Sequence, residues 1–300
     1  MKRFLFTLVS VLFLGPSAFA DFSPTRLLLI NGLHIAAYES SGTRGPGVLL
    51  IHGNTSSAQS FAKVLSSPFA RKHRVVAIDL PGYGQSDNAP SYNVALFATT
   101  IATAAQLLHV DSGVLVGWSL GGDLVLQAST LLPQVKGVFV FGTAPVGYAP
   151  DLPPPFLSPQ ESYAGAAVQY GFVPNLTPAQ ISEYVTAFFR PNYAPIPSFF
   201  FDAGLRTDPL TRLAVALAGS GQDPTFQDEV ALVKNMQVPL AIVHAEHDAF
   251  TRYAFLTSLA PQIPTLWKNK IIVVKKSGHA IHWEKTERLT ALLRQFIQQL

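Results

Sequence analysis

The sequence predicts an α/β fold, a mostly parallel central sheet flanked by helices and interrupted once by an inserted helical cap. Three observations carry that expectation. Short apolar runs ending in glycine, proline or small polar residues recur along the chain, as strands covered on both faces do. Segments with helical spacing separate them, the alternation of a parallel α/β sheet. One long stretch rich in proline and phenylalanine breaks the alternation before it resumes.

The chain opens with "MKRFLFTLVSVLFLGPSAFA", in which Lys2 and Arg3 precede an apolar run from Phe4 to Leu14 and Ala18-Phe19-Ala20 forms a small-x-small cleavage pattern. The run is shorter than the roughly 20 residues that span a bilayer. Residues 1–20 are therefore expected to be a cleaved signal peptide, giving a secreted or periplasmic protein without stable membrane insertion. In "RLLLINGLHIAAYES", Asn31-Gly32 joins two strand-like runs and suits the positive φ angles of a tight hairpin turn.

Four buried-strand runs follow, "GVLLIHG", "RVVAIDLPGYG", "SGVLVGWS" and "KGVFVFGTA", with helical spacing at Tyr92 to Leu108 and Leu120 to Leu132. These complete the first part of the core, residues 21–144. The expected cap, 145–227, carries helix starts at Ser158-Pro159-Gln160-Glu161, at Thr177-Pro178-Ala179-Gln180 and at Asp208-Pro209. The second core part, 228–300, supplies the runs "PLAIVHAEHD" and "KIIVVKKSGH" and a closing helix from about Trp283 to Leu300.

Composition excludes several classes of function. With Lys2 and Arg3 removed, the 21 basic residues fall to 19 against 18 acidic ones, a net charge of +1 that gives nucleic acid no electrostatic footprint. No cysteine is present, so thiol nucleophiles, thiolate metal sites and disulfides are all excluded. His244, Glu246 and His247 crowd near Asp248, but their spacing matches no metal-ligand pattern, and no metal is expected.

The chemistry centres on "GWSLGG", residues 117–122. A serine between glycines where a strand turns into a helix is held clear of the backbone, beside amides that can donate to a developing oxyanion. Ser119 is the candidate nucleophile and the Leu120 amide one oxyanion donor. Gly53 in "IHGNTSS" permits close backbone approach, which makes the Asn54 amide the second donor and Thr55 the alternative. A serine hydroxyl needs an imidazole base oriented by a carboxylate. His279 and Asp248 follow the last two strand runs in the chain order Ser, Asp, His expected of such a site.

Rivals exist for each partner. His282 lies three residues beyond His279, at the start of the last helix, and Glu246 precedes Asp248 but is expected to point away by strand alternation. His52 and Asp79 read as braces of their loops, and Asp123 as a charge favouring the helix dipole. Trp118, Phe188, Phe189 and Phe199 are the candidate substrate-binding residues, with at least one of the clustered Phe188, Phe189, Phe199, Phe200 and Phe201 expected to line an acyl pocket.

Taken together, "HGN" at 52–54, "DLPGYGQSD" at 79–87, "GWSLGG", Asp248 and "GHAIHWE" at 278–284 resemble the α/β-hydrolase superfamily across all of the expected mature chain but the cap. Two departures are Ala245 where many relatives have glycine, and an "HGN" loop like that of haloalkane dehalogenases, which attack with aspartate instead. The resemblance implies Ser119 as nucleophile, Asp248 as acid, His279 as base and the Asn54 and Leu120 amides as oxyanion hole. The expectation is a cofactor-free serine hydrolase acting on a small to medium, apolar carboxylic ester through an acyl-enzyme. Lactone, amide or carbon–carbon bond hydrolysis and perhydrolysis are alternatives on the same triad, and a non-catalytic small-ligand binder is the alternative from another class.

Overall fold

The computed structural model describes residues 22–300, so the expected signal peptide lies outside the described residues. Eight strands form one sheet: β1 (Arg26–Ile30), β2 (Leu33–Glu39), β3 (Arg44–Ile51), β4 (His73–Ile78), β5 (Val114–Trp118), β6 (Gly137–Phe141), β7 (Leu240–His247) and β8 (Ile272–Gly278). Their order is β1-β2-β4-β3-β5-β6-β7-β8. The β1–β2 and β2–β4 pairings are antiparallel and all others parallel. The β1–β2 hairpin turns at Asn31 and Gly32, which adopt φ of 52° and 80° as a two-residue turn of this type requires.

Alternation along the strands explains why the runs are apolar throughout. Leu49, Ile51, Leu115, Val138, Val140 and Ile242 face one core layer, while Val48, Leu50, Val116, Phe139, Phe141 and Val243 face the other. Both layers are covered by helices: α1 (Ala62–Leu65), α2 (Val94–Leu107), α3 (Leu120–Ser129), α4 (Pro178–Thr186), α5 (Ser198–Arg206), α6 (Pro209–Gly219), α7 (Glu229–Asn235), α8 (Tyr253–Leu259), α9 (Ile281–Glu284) and α10 (Thr286–Ile297). No helix among the described residues is long and apolar enough to cross a membrane.

Between β6 and β7 the chain leaves the sheet and forms α4, α5 and α6 before α7 returns it. Thr177 and Gln180 make a reciprocal capping box at α4, and the Asp208 carboxylate accepts from Leu210 N–H at α6. Ser158 behaves otherwise. Its N–H and hydroxyl both donate to Glu161 Oε2, but no α-helix follows. Arg252 clamps both Glu161 oxygens, and Gly165, with φ of 56°, leads into a short 3-10 helix over Gly165–Phe172.

The closing helix also differs from its expected single span. Glu284 Oε1 accepts from Gly278 and Arg190 N–H, and the carboxylate pairs with the Arg190 guanidinium at 3.0 Å. The backbone breaks beside it at Lys285, whose φ of −135° separates α9 from α10.

Candidate active site

Because β3, β5, β7 and β8 run parallel, Asn54, Ser119, Asp248 and His279 all emerge at one edge of the sheet, where open α/β sheets bind ligands. Ser119 sits between β5 and α3 with φ of 55° and ψ of −129°, a conformation that costs a non-glycine residue about 1–3 kcal/mol. Backbone hydrogen bonds hold it there. Ser119 N–H donates to Phe141 O at 3.0 Å, while its carbonyl accepts from Gly122 N–H at 2.7 Å and from the Thr143 hydroxyl at 2.9 Å. The turn also needs its glycines: a Cβ on Gly117 would strike the Gly121 carbonyl, and one on Gly121 would strike the carbonyls of Ile51 and His52.

Asp248 and His279 meet at this edge. His279 Nδ1 lies 2.9 Å from Asp248 Oδ2, and Asp248 Oδ1 accepts from Phe250 and Thr251 N–H at 2.9 and 3.0 Å. Burial pushes the Asp248 carboxyl up, but the facing His279 imidazole, His244 and the Thr251 N–H outweigh it and hold the group well below the usual carboxylate range. An ionised Asp248 fixes the proton on Nδ1 and leaves Nε2 as the basic nitrogen. Nε2 is buried without a hydrogen-bond partner. No Ser119–His279 hydrogen bond is formed, although both residues line one cavity.

That cavity has a volume of about 360 Å³ and is also lined by Asn54 and Leu120. The Leu120 amide is in the first turn of α3, where no preceding turn can satisfy it. The Asn54 side chain is fixed away from its own backbone, donating from Nδ2 to Gly171 O at 2.7 Å and accepting from the Tyr83 hydroxyl at 3.2 Å. Thr55 is fully buried with φ of 55° and does not reach the cavity.

The rivals are placed elsewhere. Glu246 accepts from Lys275 Nζ at 2.7 Å and Lys276 N–H at 2.8 Å on the exposed side of β7. His282 lies among Trp118, Phe61 and Phe141, outside the cavity, and burial pushes its imidazole well down. His52 accepts from Leu80 N–H through Nε2, so its Nδ1 donates to Gly53 O at 2.8 Å. Asp79 gathers the Tyr38 hydroxyl and the Ala58 and Gln85 N–H groups, tying β2 to the segments at Ala58 and Gln85.

The four aromatic residues expected to bind substrate do not line this cavity, and that expectation is corrected. Trp118 is fully buried beneath the site and donates from Nε1 to His279 O at 3.0 Å. Phe188 packs against Trp118, Phe250 and the His279 ring, and its carbonyl accepts from Ala280 N–H at 2.7 Å. Phe189 stacks on Tyr193, and Phe199 packs on Phe200 and Trp283. The aromatic walls are instead Phe97, Phe156, Phe172, Tyr184, Phe226 and Phe250. Aromatic density marks an apolar segment but does not reveal which ring a short helix turns inward.

A second departure concerns charge. Asp123, on the first turns of α3, and Glu229, at the start of α7, both line the otherwise largely apolar cavity. Their carboxyl groups hydrogen-bond to each other. Burial pushes both up; the Glu229 charge adds to the rise of Asp123, while Gln127 Nε2 and Val146 N–H donate to Glu229 and oppose its rise. The sequence marked Asp123 only as a helix-dipole charge, since nothing in its spacing shows a partner 106 residues away.

A model described as the alpha/beta hydrolase family matches residues 48–292. The uncharacterized hydrolase YugF of Bacillus subtilis (strain 168) is 35% identical over 117 residues, which span 38% of this chain and 42% of that protein. A pimeloyl-[acyl-carrier protein] methyl ester esterase of Xylella fastidiosa (strain 9a5c) is 25% identical over 273 residues, 85% of this chain and 96% of its own. Among solved structures, the N-acyl homoserine lactonase AidH complexed with N-butanoyl homoserine aligns with a TM-score of 0.81 at 28% identity, covering 91% of this chain and 96% of that one.

Proposed function

The chain belongs to the alpha/beta hydrolase family, and from that premise we propose that it is a serine hydrolase cleaving small to medium carboxylic esters with an uncharged, apolar acyl group. One observation carries the reading. An imidazole with Nδ1 held by a buried carboxylate presents an unpartnered Nε2 in the same cavity as a serine strained onto a β–α turn.

In this reading His279 Nε2 takes the Ser119 proton as Oγ attacks the ester carbonyl carbon. The Leu120 and Asn54 N–H groups hold the resulting oxyanion, and Asp248 stabilises the imidazolium. Collapse breaks the carbon–oxygen bond to the alcohol, which leaves with the proton from His279. Water, activated by the same nitrogen, then attacks the acyl-enzyme, and breaking the Ser119 ester releases the acid. The segment between β6 and β7 acts as a cap, since Phe156, Phe172, Tyr184 and Phe226 enclose the acyl side of the cavity.

A lactone is the second reading, favoured by the structural likeness to a lactonase over 91% of this chain. Ring opening follows the same steps, except that the alcohol stays tethered to the acyl group. A panel of ethyl esters of graded acyl length and matched γ- and δ-lactones, assayed with the wild type and Ser119→Ala, tests both. Turnover abolished by the substitution supports a serine hydrolase, and the ratio of the two classes assigns the substrate. Wild type inert toward every member overturns the reading.

A further inference from the structure

Asp123 follows Ser119 by four residues on α3, about 6 Å along the helix axis, and presents part of its side chain to the cavity that holds Ser119 and His279. Its Oδ1 is buried and takes no hydrogen bond from a donor group of the chain. Its one bonding partner is the carboxyl group of Glu229, and two carboxyl groups hydrogen-bond only when one carries a proton. Glu229 is the better-supplied anion, with Gln127 Nε2 on Oε1 at 2.9 Å and Val146 N–H on Oε2 at 2.9 Å. Glu229 is thus the member of the pair that the chain supplies with donors, and Asp123 the member that it does not.

A purely structural account leaves this pair unexplained. Glu229 already joins α7 to α3 through Gln127 and to the loop after β6 through Val146, without needing Asp123. An apolar side chain at position 123 would match the neighbouring Leu124 and Leu120 walls and avoid burying a second acid. What the acid adds is an oxygen that accepts a hydrogen bond, in a largely apolar cavity and one helical turn from the nucleophile.

We infer that Asp123, placed beside Glu229 in the cavity that holds Ser119, is a substrate-recognition residue that accepts a hydrogen bond from an N–H or O–H group on the acyl portion of the ester. The donor lies about two or three bonds from the scissile carbonyl, the reach that one helical turn allows. The preferred substrates are thus esters or lactones of acylamino or hydroxy acids. Plain alkanoates fill the same apolar walls but leave this oxygen unpaired. The inference deepens the serine-hydrolase reading above and rests on it.

The test compares two ethyl esters of equal length: ethyl N-butanoylglycinate, and ethyl 4-oxoheptanoate, which has a methylene in place of the N–H. Rates are normalised to alkaline hydrolysis of each ester. Wild type should favour the N–H ester by roughly tenfold or more in kcat/KM, the effect of pairing a buried acceptor. Asp123→Asn should keep the preference, because its amide can donate to Glu229 while its carbonyl still accepts. Asp123→Leu should bring the ratio to about one. Equal turnover of both esters by wild type overturns this inference and leaves the serine mechanism standing, whereas no turnover of either overturns the mechanism itself. If Asp123→Leu does not fold, the wild-type and Asp123→Asn ratios decide: a loss of preference in Asp123→Asn contradicts the assignment.

Discussion

His279 Nδ1 lies 2.9 Å from Asp248 Oδ2, and the opposite ring nitrogen has no partner. The ring is thus oriented by one contact and available through the other. Replacing Ser119 by Ala, His279 by Ala or Asp248 by Asn should each lower kcat by roughly three orders of magnitude or more, without additive losses in combination. His282→Ala should leave kcat within a few-fold of wild type, because His282 is outside the cavity. Steady-state kinetics of the four variants, with circular dichroism to verify folding, checks this; a silent His279→Ala moves the base elsewhere.

The turn that presents Ser119 depends on backbones approaching closely. A methyl group on Gly117 or Gly121 meets carbonyl groups that cannot rotate aside. Gly121→Ala should therefore destabilise the protein by on the order of 3 kcal/mol, as overpacking against fixed atoms does. Denaturant unfolding measures the loss, and a wild-type midpoint contradicts the packing described.

Phe172 and Phe188 should respond differently to truncation. Phe172 lines the cavity and is 40% exposed, so Phe172→Ala should move the optimal acyl length upward at little cost in stability. Up to that optimum, kcat/KM should rise at most about fourfold per methylene, the equivalent of about 0.8 kcal/mol. Phe188 is 2% exposed and packed on the His279 ring, so Phe188→Ala should cost about 3–5 kcal/mol without moving the optimum. An ester series assayed alongside thermal unfolding separates the two effects. A flat length profile in wild type contradicts the acyl assignment of the cavity.

The acid pair gives stability a pH dependence of definite sign. Burial raises Asp123 and Glu229 above the unfolded carboxylate range, so the folded state holds its shared proton more tightly than the unfolded chain does. The stability this contributes is complete below about pH 4 and is lost as pH rises through the folded values. Asp123→Asn cannot ionise at position 123, so its Tm relative to wild type should climb as pH goes from 5 to 8. Asp248 acts with the opposite sign: its depressed carboxyl contributes stability present above about pH 4 and lost on acidification. A Tm difference that stays constant from pH 5 to 8 would remove the shared proton.

Much of the architecture is legible in the sequence because strand burial and turn chemistry are local. Asn31-Gly32 sets its hairpin, and doubly covered strands such as Val138 to Phe141 read as unbroken apolar runs. Ser119, Asp248 and His279 could be singled out because each follows a strand run directly, and parallel strands bring such positions to one edge. The cavity walls were not legible. Phe156, Phe172 and Phe226 reach it from an isolated bridge, a 3-10 helix and irregular backbone, where no period dictates a facing direction, while Phe188 and Phe199 are turned into packing between elements. The Ser158 motif had the right residues for a helix start, but a tertiary partner, Arg252, holds its glutamate.

The most direct test of the central claim is mass spectrometry of the protein after reaction with a fluorophosphonate probe. An activated serine reacts stoichiometrically, so the account predicts one adduct per chain, located on Ser119 and lost in both Ser119→Ala and His279→Ala. An unlabelled wild type, or an adduct on another residue, would contradict it.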